Sequence, residues 1–464
     1  MKTLKTMEMK SLYKSNIALM AILVLFFTGC EKWIDPDLNI NPDVPSDVPM
    51  NLLVPSMELS MSYQIGGIRA VKTTNIYMQY LNGVARQSYG ESNYILSATD
   101  VDDLWRRMYY QPMMDATKLI QKAGEQNSPH YAGLAKVCMA LCLGTMTNLF
   151  GDMPYSDAFT GDQGTLQPLF DTQEEIYSSI GVLLDEAIAD LSSTENTIAL
   201  DGDMIYNNNR SSWTKAAYAL KARYALNMGD YTGALTNSSS AFSPGNTFAM
   251  PFGSTNAEAG PMYQYATVSS YKNDVKMCAT FIDRLNATGD PRLPFYAKTF
   301  GGAYVGSPAG SEEPDASTLG VYNNSPEAPV ILSSYSEMQF IRAECFLRQT
   351  TPDNDAAAEA YKSAVASSVL AVTGEGNSEW LDANINIETG ETITLGKIME
   401  QKYLAMYSTV VPYDDYRRTG YPALTPVPGA GPIPERFPYP QTEISYNTNC
   451  PVVANTSQKL WIFE

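Results

Sequence analysis

The sequence predicts a mainly α-helical fold, a tetratricopeptide-repeat scaffold of about four repeat units interrupted by long irregular loop insertions. Two observations predict it. The first is a spacing that recurs in four places: a small or apolar residue, a contact residue four positions on, and Ala three after that. The sets are Ala116, Ile120 and Ala123; Ile180, Leu184 and Ala187; Ala234, Ser238 and Ala241; and Ala357, Tyr361 and Ala364. Offsets of four and three put each set on one helix face, and small side chains there let a neighbouring helix approach closely. The second is a repeat with both halves in view, Tyr218 to Ala241. Tyr218 takes the large first-helix position, Ala222 the small one, and Gly229-Asp230-Tyr231 the turn. Cys345 fills the same small slot ahead of Ala357.

The repeats keep no 34-residue period, since the third and fourth sets lie 123 residues apart, so insertions must interrupt the solenoid. The largest, at about 242–334, is rich in Gly, Pro, Asn and Ser and carries twelve Phe or Tyr residues, which predicts long ordered loops with short helices. A second irregular stretch, Leu81 to Thr99, precedes the first repeat's second helix and carries Arg86, Tyr89, Asn93 and Tyr94. Helical repeats make a stiff frame, and displayed loops are where binding usually resides.

The first residues read as an address. Lys2, Lys5, Lys10 and Lys14 precede an apolar run, Ile17 to Phe27, too short to span a bilayer, and then Phe27-Thr28-Gly29-Cys30. Residues 1–29 are expected to be a lipoprotein signal peptide, with Cys30 as the lipid attachment site. The departure from the usual pattern is Phe27, where bacterial lipoproteins usually have Leu. Residues 30–50 follow as a tether stiffened by Pro36, Pro42, Pro45 and Pro49, and residues 51–464 as a single helical-repeat domain. A diacyl or triacyl anchor holds a protein stably to a membrane.

Composition narrows the function. A net charge of −19 argues against nucleic acid and anionic lipid as direct ligands, and it disfavours strongly anionic glycans except where a local basic loop such as Arg69 to Lys72 overrides the global charge. Thirty Tyr residues argue against disorder and suit a protein that stacks its ligand. With Cys30 used for lipid, five cysteines remain, and Cys138 and Cys142, four apart in an apolar helical run, read as buried small hydrophobes. His130 is the sole histidine, and nucleophile-elbow, zinc-protease, P-loop and dinucleotide motifs are absent. Asp201-Gly202-Asp203 and Asp353-Asn354-Asp355 lack the later ligands of a calcium loop and read as polar turns. No enzyme, metal or cofactor is expected; a carboxylate pair able to hydrolyse a glycoside is the one catalytic alternative.

Three segments carry a family resemblance: Phe150 to Phe159 (FGDMPYSDAF) after an Ala-rich helix, Tyr413 to Pro422 (YDDYRRTGYP), and Ile433 to Asn447 (IPERFPYPQTEISYN). Together with the lipobox they resemble the SusD/RagB family of outer-membrane nutrient-binding lipoproteins, in its SusD-like branch of smaller members. The resemblance implies four tetratricopeptide units with insertions forming a ligand face. It also implies a cell-surface lid over a TonB-dependent, SusC-like transporter barrel, and hand-over of a glycan or, in some branches, a peptide. A structural or interaction lipoprotein is the alternative.

Read physically, the closing motif is a clasp: Arg436 beside Pro438, Tyr439 and Pro440 makes a stiff extended stretch with one long cation. Arg417 and Arg418 beside Asp414 and Asp415 read as an ion-pair cluster. A glycan site needs flat apolar faces and planar hydrogen-bonding groups. Candidates are Tyr89 and Tyr94 with Arg86 and Asn93 in the early loop, and Tyr263, Tyr265, Tyr271, Phe295, Tyr296 and Tyr304 in the insertion. No family binding residue maps onto them one by one, and the plainer reading of each alone is a packing residue.

Overall fold

Caps written into the sequence set the helix ends in the computed structural model, which describes residues 48–464. The leader, Cys30 and nearly all of the 30–50 tether lie outside the described residues. Pro129 opens the helix Pro129–Phe150, where its missing N–H costs nothing. Thr172 and Glu175 form a capping box at Gln173–Ser192. Asn209 accepts from Ser212 N at 3.1 Å to start Arg210–Asn227, and Asp230 accepts from Gly233 N at 2.8 Å to start Tyr231–Ser240. Ser334 and Asp353 do the same for Tyr335–Arg348 and Asn354–Thr373.

These helices pack in four pairs. Met50–Ile65 lies on Met114–Glu125, Pro129–Phe150 on Gln173–Ser192, Arg210–Asn227 on Tyr231–Ser240, and Tyr335–Arg348 on Asn354–Thr373. Successive pairs also touch, the second helix of each meeting the first of the next, so the pairs build one continuous core. The four repeat sets of the sequence all fall on second helices or their ends, and every member is buried except Ile120, which is partly exposed. Ala222 and Cys345 are buried on first helices as expected.

Pro129–Phe150 is apolar enough by length and composition to cross a membrane, yet it is the central core helix, almost wholly covered by its neighbours. Gly144 permits that closeness, because a Cβ there would fall 2.1 Å from the Tyr224 hydroxyl. Cys138 and Cys142 are buried, unbridged thiols on this helix, consistent with small hydrophobes. Its C-terminus is buried too, where the last carbonyls of a helix have no intrahelical partner.

Each of those carbonyls is met from elsewhere. Gln173 Nε2 donates to Thr147 O at 2.8 Å, Arg417 Nη1 to Asn148 O at 2.6 Å, and Phe437 N to Leu149 O at 2.7 Å; Arg436 donates to Phe150 O. The two cations also sit at the negative end of the helix dipole. The Arg417 guanidinium lies 3.8 Å from the Tyr413 ring centre and 4.2 Å from that of Phe463. The closing motif is thus a clasp. Beside it, Lys402 and Arg418 pair with Asp415 at 2.8 Å, Arg418 also with Glu344, and Arg417 with Asp414 at 2.6 Å, all buried.

The insertions depart from expectation in one respect. Leu81–Thr99 is more ordered than its composition suggests, with a strand Leu81–Gly83, a helix Arg86–Ser92 and the start of the helix Ala98–Met108. The strand exists because it pairs antiparallel with Val275–Met277, nearly 200 residues on, a partner that a three-residue run cannot announce. The 242–334 insertion does consist of loops and short helices, and its neck is closed by Thr247–Met250 pairing with Val330–Ser334.

Arg417→Met should destabilise the fold by about 3–5 kcal/mol in urea unfolding, since it strands the buried Asp414 carboxylate and the Asn148 carbonyl. Arg417→Lys should recover only part, keeping the charge without the fork.

A second expectation concerns pH. Glu58 is buried, with Oε2 accepting from Met204 N at 2.8 Å and Oε1 unpartnered; burial, then the neighbouring Asp203 carboxylate, pushes its pKa well above the usual 4.5. The folded chain therefore holds this proton to higher pH than the unfolded chain. Its stabilising contribution is complete below the ordinary value and declines as pH rises through the raised one. Melting temperatures of wild type minus Glu58→Gln should accordingly fall between pH 4.5 and neutrality.

Candidate ligand-binding face

The pairing of Leu81–Gly83 with Val275–Met277 brings the two aromatic insertions to one place. Val84 N extends the ladder by donating to Asp274 O at 2.7 Å, which sets Arg86 beside Asp274. The Arg86 guanidinium donates to both Asp274 carboxylate oxygens, through Nε at 2.9 and 3.0 Å and Nη2 at 2.5 Å, and to Ser270 O at 2.7 Å. It lies 4.9 Å from the Tyr271 ring centre. The hydrogen bond to Asp274 holds its pKa above the ordinary arginine value. Half of the Arg86 side chain and 47% of Tyr271 remain exposed, so the two present a guanidinium and phenol plate to solvent while Asp274 is buried beneath. Arg86 and Tyr94 both hold a left-handed backbone, φ 51° and 60°, a conformation unfavourable for such side chains and retained only where surrounding contacts impose it.

The support below is polar. Lys72 and Glu91 form a buried ion pair at 2.5 Å, Lys72 lies 5.7 Å from the Tyr265 ring centre, and the Tyr265 hydroxyl bonds Ser88 Oγ at 3.0 Å. Burial lowers the Lys72 pKa, with the Glu91 charge opposing it. Asn82 pins the adjacent loop by donating to Ser307 Oγ and Ser311 O and accepting from Gly310 N at 2.9 Å.

The sequence-predicted residues divide accordingly. Arg86 and Tyr271 come together at the surface. Tyr89 is half-buried on the same short helix as Arg86. Asn93 and Tyr94 are half-buried and structurally engaged: Asn93 donates to Gly310 O at 3.3 Å, and the Tyr94 hydroxyl accepts from Val427 N at 3.1 Å. Tyr265 is buried support.

Tyr296 corrects the expectation, because it has no exposed surface. Its ring packs against Phe281, Tyr322 and Tyr407, where no ligand on this face reaches it. Tyr263, Phe295 and Tyr304 are half-buried, and among the described residues no side-chain hydrogen bond links them to the Arg86 group. Asp274, which fixes the plate, was missed; one acid among 50 carries no distinguishing signal in sequence.

Chemically the face can stack and hydrogen-bond. Among the described residues no group of three His, Cys, Asp or Glu side chains is placed to hold a metal ion.

A family profile described as starch-binding, associating with outer membrane (SusD-like_2), matches residues 42–440. The chain belongs to this SusD-like family. SusD-like proteins are binding proteins rather than enzymes. Solved structures share the fold. A SusD/RagB family protein from Bacteroides thetaiotaomicron is 23% identical with a TM-score of 0.75, covering 90% of this chain and 99% of its own. A chitin-binding SusD homologue from Flavobacterium johnsoniae is 21% identical with a TM-score of 0.72, covering 89% and 98%. A SusD-like protein from the Bacteroidetes has a TM-score of 0.77 at 16% identity, covering 90% and 100%. Comparison with curated proteins finds no match.

Asp274→Ala should release Arg86 with little effect on stability, about 1 kcal/mol or less, because the Arg86 partner is half exposed. The readout is the Arg86 Nε–H resonance, which should exchange with water faster than in wild type.

Proposed function

We propose that this SusD-like protein captures a neutral glycan at the outer membrane and passes it, unchanged, to a TonB-dependent transporter barrel. In this reading it is held at the cell surface by a lipid on Cys30. The observation that carries the reading is the Arg86 and Tyr271 plate, locked from below by Asp274 at the junction of both insertions. A fixed flat face lowers the ordering cost of binding. An aromatic ring suits the C–H face of a sugar, and guanidinium N–H groups suit its hydroxyls. Tyr89 extends the plate, with Asn93 and Tyr94 shaping its margin.

The acidity of the chain and the neutralisation of Arg86 by Asp274 support an uncharged ligand. The family's starch-binding description and the chitin-binding homologue support a glycan.

Calorimetry of the full chain in detergent against neutral oligosaccharides should show binding, with product analysis showing the sugar intact. Tyr271→Ala should weaken it about tenfold, the loss of one stacked ring, without lowering the melting temperature by more than a few degrees. Turnover of the sugar, or binding of peptides alone, would refute the assignment. Cys30→Ala should abolish incorporation of labelled palmitate and release the protein from membranes.

A further inference from the structure

An open groove of about 830 Å³, sharing no lining residue with the Arg86 plate, lies between the Met50–Ile65 helix and the segment 250–258. Its volume is in the range of small-molecule sites. Tyr63 and Phe252 form its corner, ring centres 5.6 Å apart and planes at 76°, and the Tyr63 hydroxyl is fixed by donating to Ala259 O at 2.5 Å. Leu59 and Met204 add aliphatic and thioether surface, each more than a third exposed.

Two glutamines stand among its polar groups, with Ser56, Ser60, Arg107 and Glu258. Gln64 comes from the helix and Gln111 from a π-helical turn, Tyr109–Met113, that interrupts the run from Ala98–Met108 into Met114–Glu125. Pro112 within that turn removes a backbone N–H, a cause of such bulges, which concentrate at functional sites. Among the described residues neither glutamine amide has a hydrogen-bond partner, whereas the Ser56 and Ser60 hydroxyls donate to Asp115 at 2.8 Å and to Met57 O at 3.2 Å, Arg107 pairs with Asp103 at 2.7 Å, and Glu258 accepts one hydroxyl hydrogen bond, from Thr255 at 2.9 Å.

Two free, neutral, planar amides beside a methyl-accepting wall and an aromatic corner define the ligand chemistry. An acetamido group offers a methyl to the thioether and leucine surface, and a C=O and N–H to glutamine amides. A sugar ring offers C–H faces to Tyr63 and Phe252. An extended peptide would need a run of free backbone donors and acceptors, and Pro251 takes one N–H out of this wall. We infer that the groove framed by Tyr63, Gln64, Gln111 and Phe252 is a second saccharide site, selective for acetamido sugars and separate from the Arg86 plate. The inference rests on the glycan reading above only for the class of ligand.

The test uses the full chain in detergent, calorimetry, and two probes: the β-1,4-linked tetramer of N-acetylglucosamine, and cellotetraose, which lacks the acetamido groups. An Arg86→Ala/Tyr271→Ala variant removes the plate and should still bind the N-acetylated tetramer. Adding Gln64→Ala/Gln111→Ala should weaken that residual binding at least about tenfold, with an unchanged melting temperature, since neither amide holds the fold together. Residual binding that survives the glutamine changes, equal binding of cellotetraose at the groove, or occupancy by a tetrapeptide instead would each overturn the inference while leaving capture at the plate intact. Loss of all tetramer binding in the plate variant alone would also overturn it. Failure of wild type to bind any saccharide would remove the proposed function and this site together.

Discussion

The buried C-terminus of Pro129–Phe150 constrains everything around it. Four successive carbonyls end in a dry interior, and each left unpaired would cost about 1–3 kcal/mol. The helix's own C-cap, Gly151 N, reaches only Thr147 O, and the other partners come from the next helix, from Val411–Thr419 and from the closing segment. The chain therefore has to bring its last quarter back to its centre before the central helix is satisfied. An open solenoid of four pairs becomes a structure locked across its middle. A ring cluster seals the junction, with Phe150 edge-on to Trp105 and to Phe437, and Phe437 against Tyr77 and Tyr413.

That lock reaches the candidate face. The segment that leads into the early insertion, residues 75–80, is bolted to the C-terminal part of the chain by bonds that cross most of the sequence. Asn75 donates to Thr409 O at 2.9 Å, Gln79 to Thr425 O at 2.7 Å, and the Tyr80 and Tyr403 hydroxyls donate to each other's neighbourhood at Tyr403 O and Met78 O. Tyr80 and Tyr403 stack at 4.2 Å. The approach to the early insertion is thus fixed from below, while Arg86 and, from the other insertion, Tyr271 meet solvent. A SusD-like protein built this way displays a preformed face on a rigid frame, and a ligand held there as proposed would order few additional groups.

Much of the frame was legible from local chemistry. The small residues at helical spacing lie where second helices need them, the Ser, Thr, Asn and Asp caps stand where helices begin, and the closing motif acts as the clasp its prolines and arginine suggested. The Asp414 to Arg418 cluster was read as ion pairs, and tertiary packing buried it. The face was only partly legible. Arg86 and Tyr271 were among the candidates, yet nothing in the sequence joined them to each other, separated them from the core residue Tyr296, or named Asp274. Gln64 and Gln111 carried no signal, since an unpartnered amide is defined by what fails to lie near it.

The sequence by itself determined the helical periodicity, the repeat positions, the family and the acidic balance, because these depend on side chains a few residues apart or on composition. Tertiary structure alone decided which aromatics face water, how Arg86 is aimed, and where the strands form. Those outcomes depend on contacts between residues separated by hundreds of positions, such as Asn75 with Thr409 and Arg86 with Asp274. Local propensity holds no record of such partners, because the energy that selects them appears only when the chain has closed on itself.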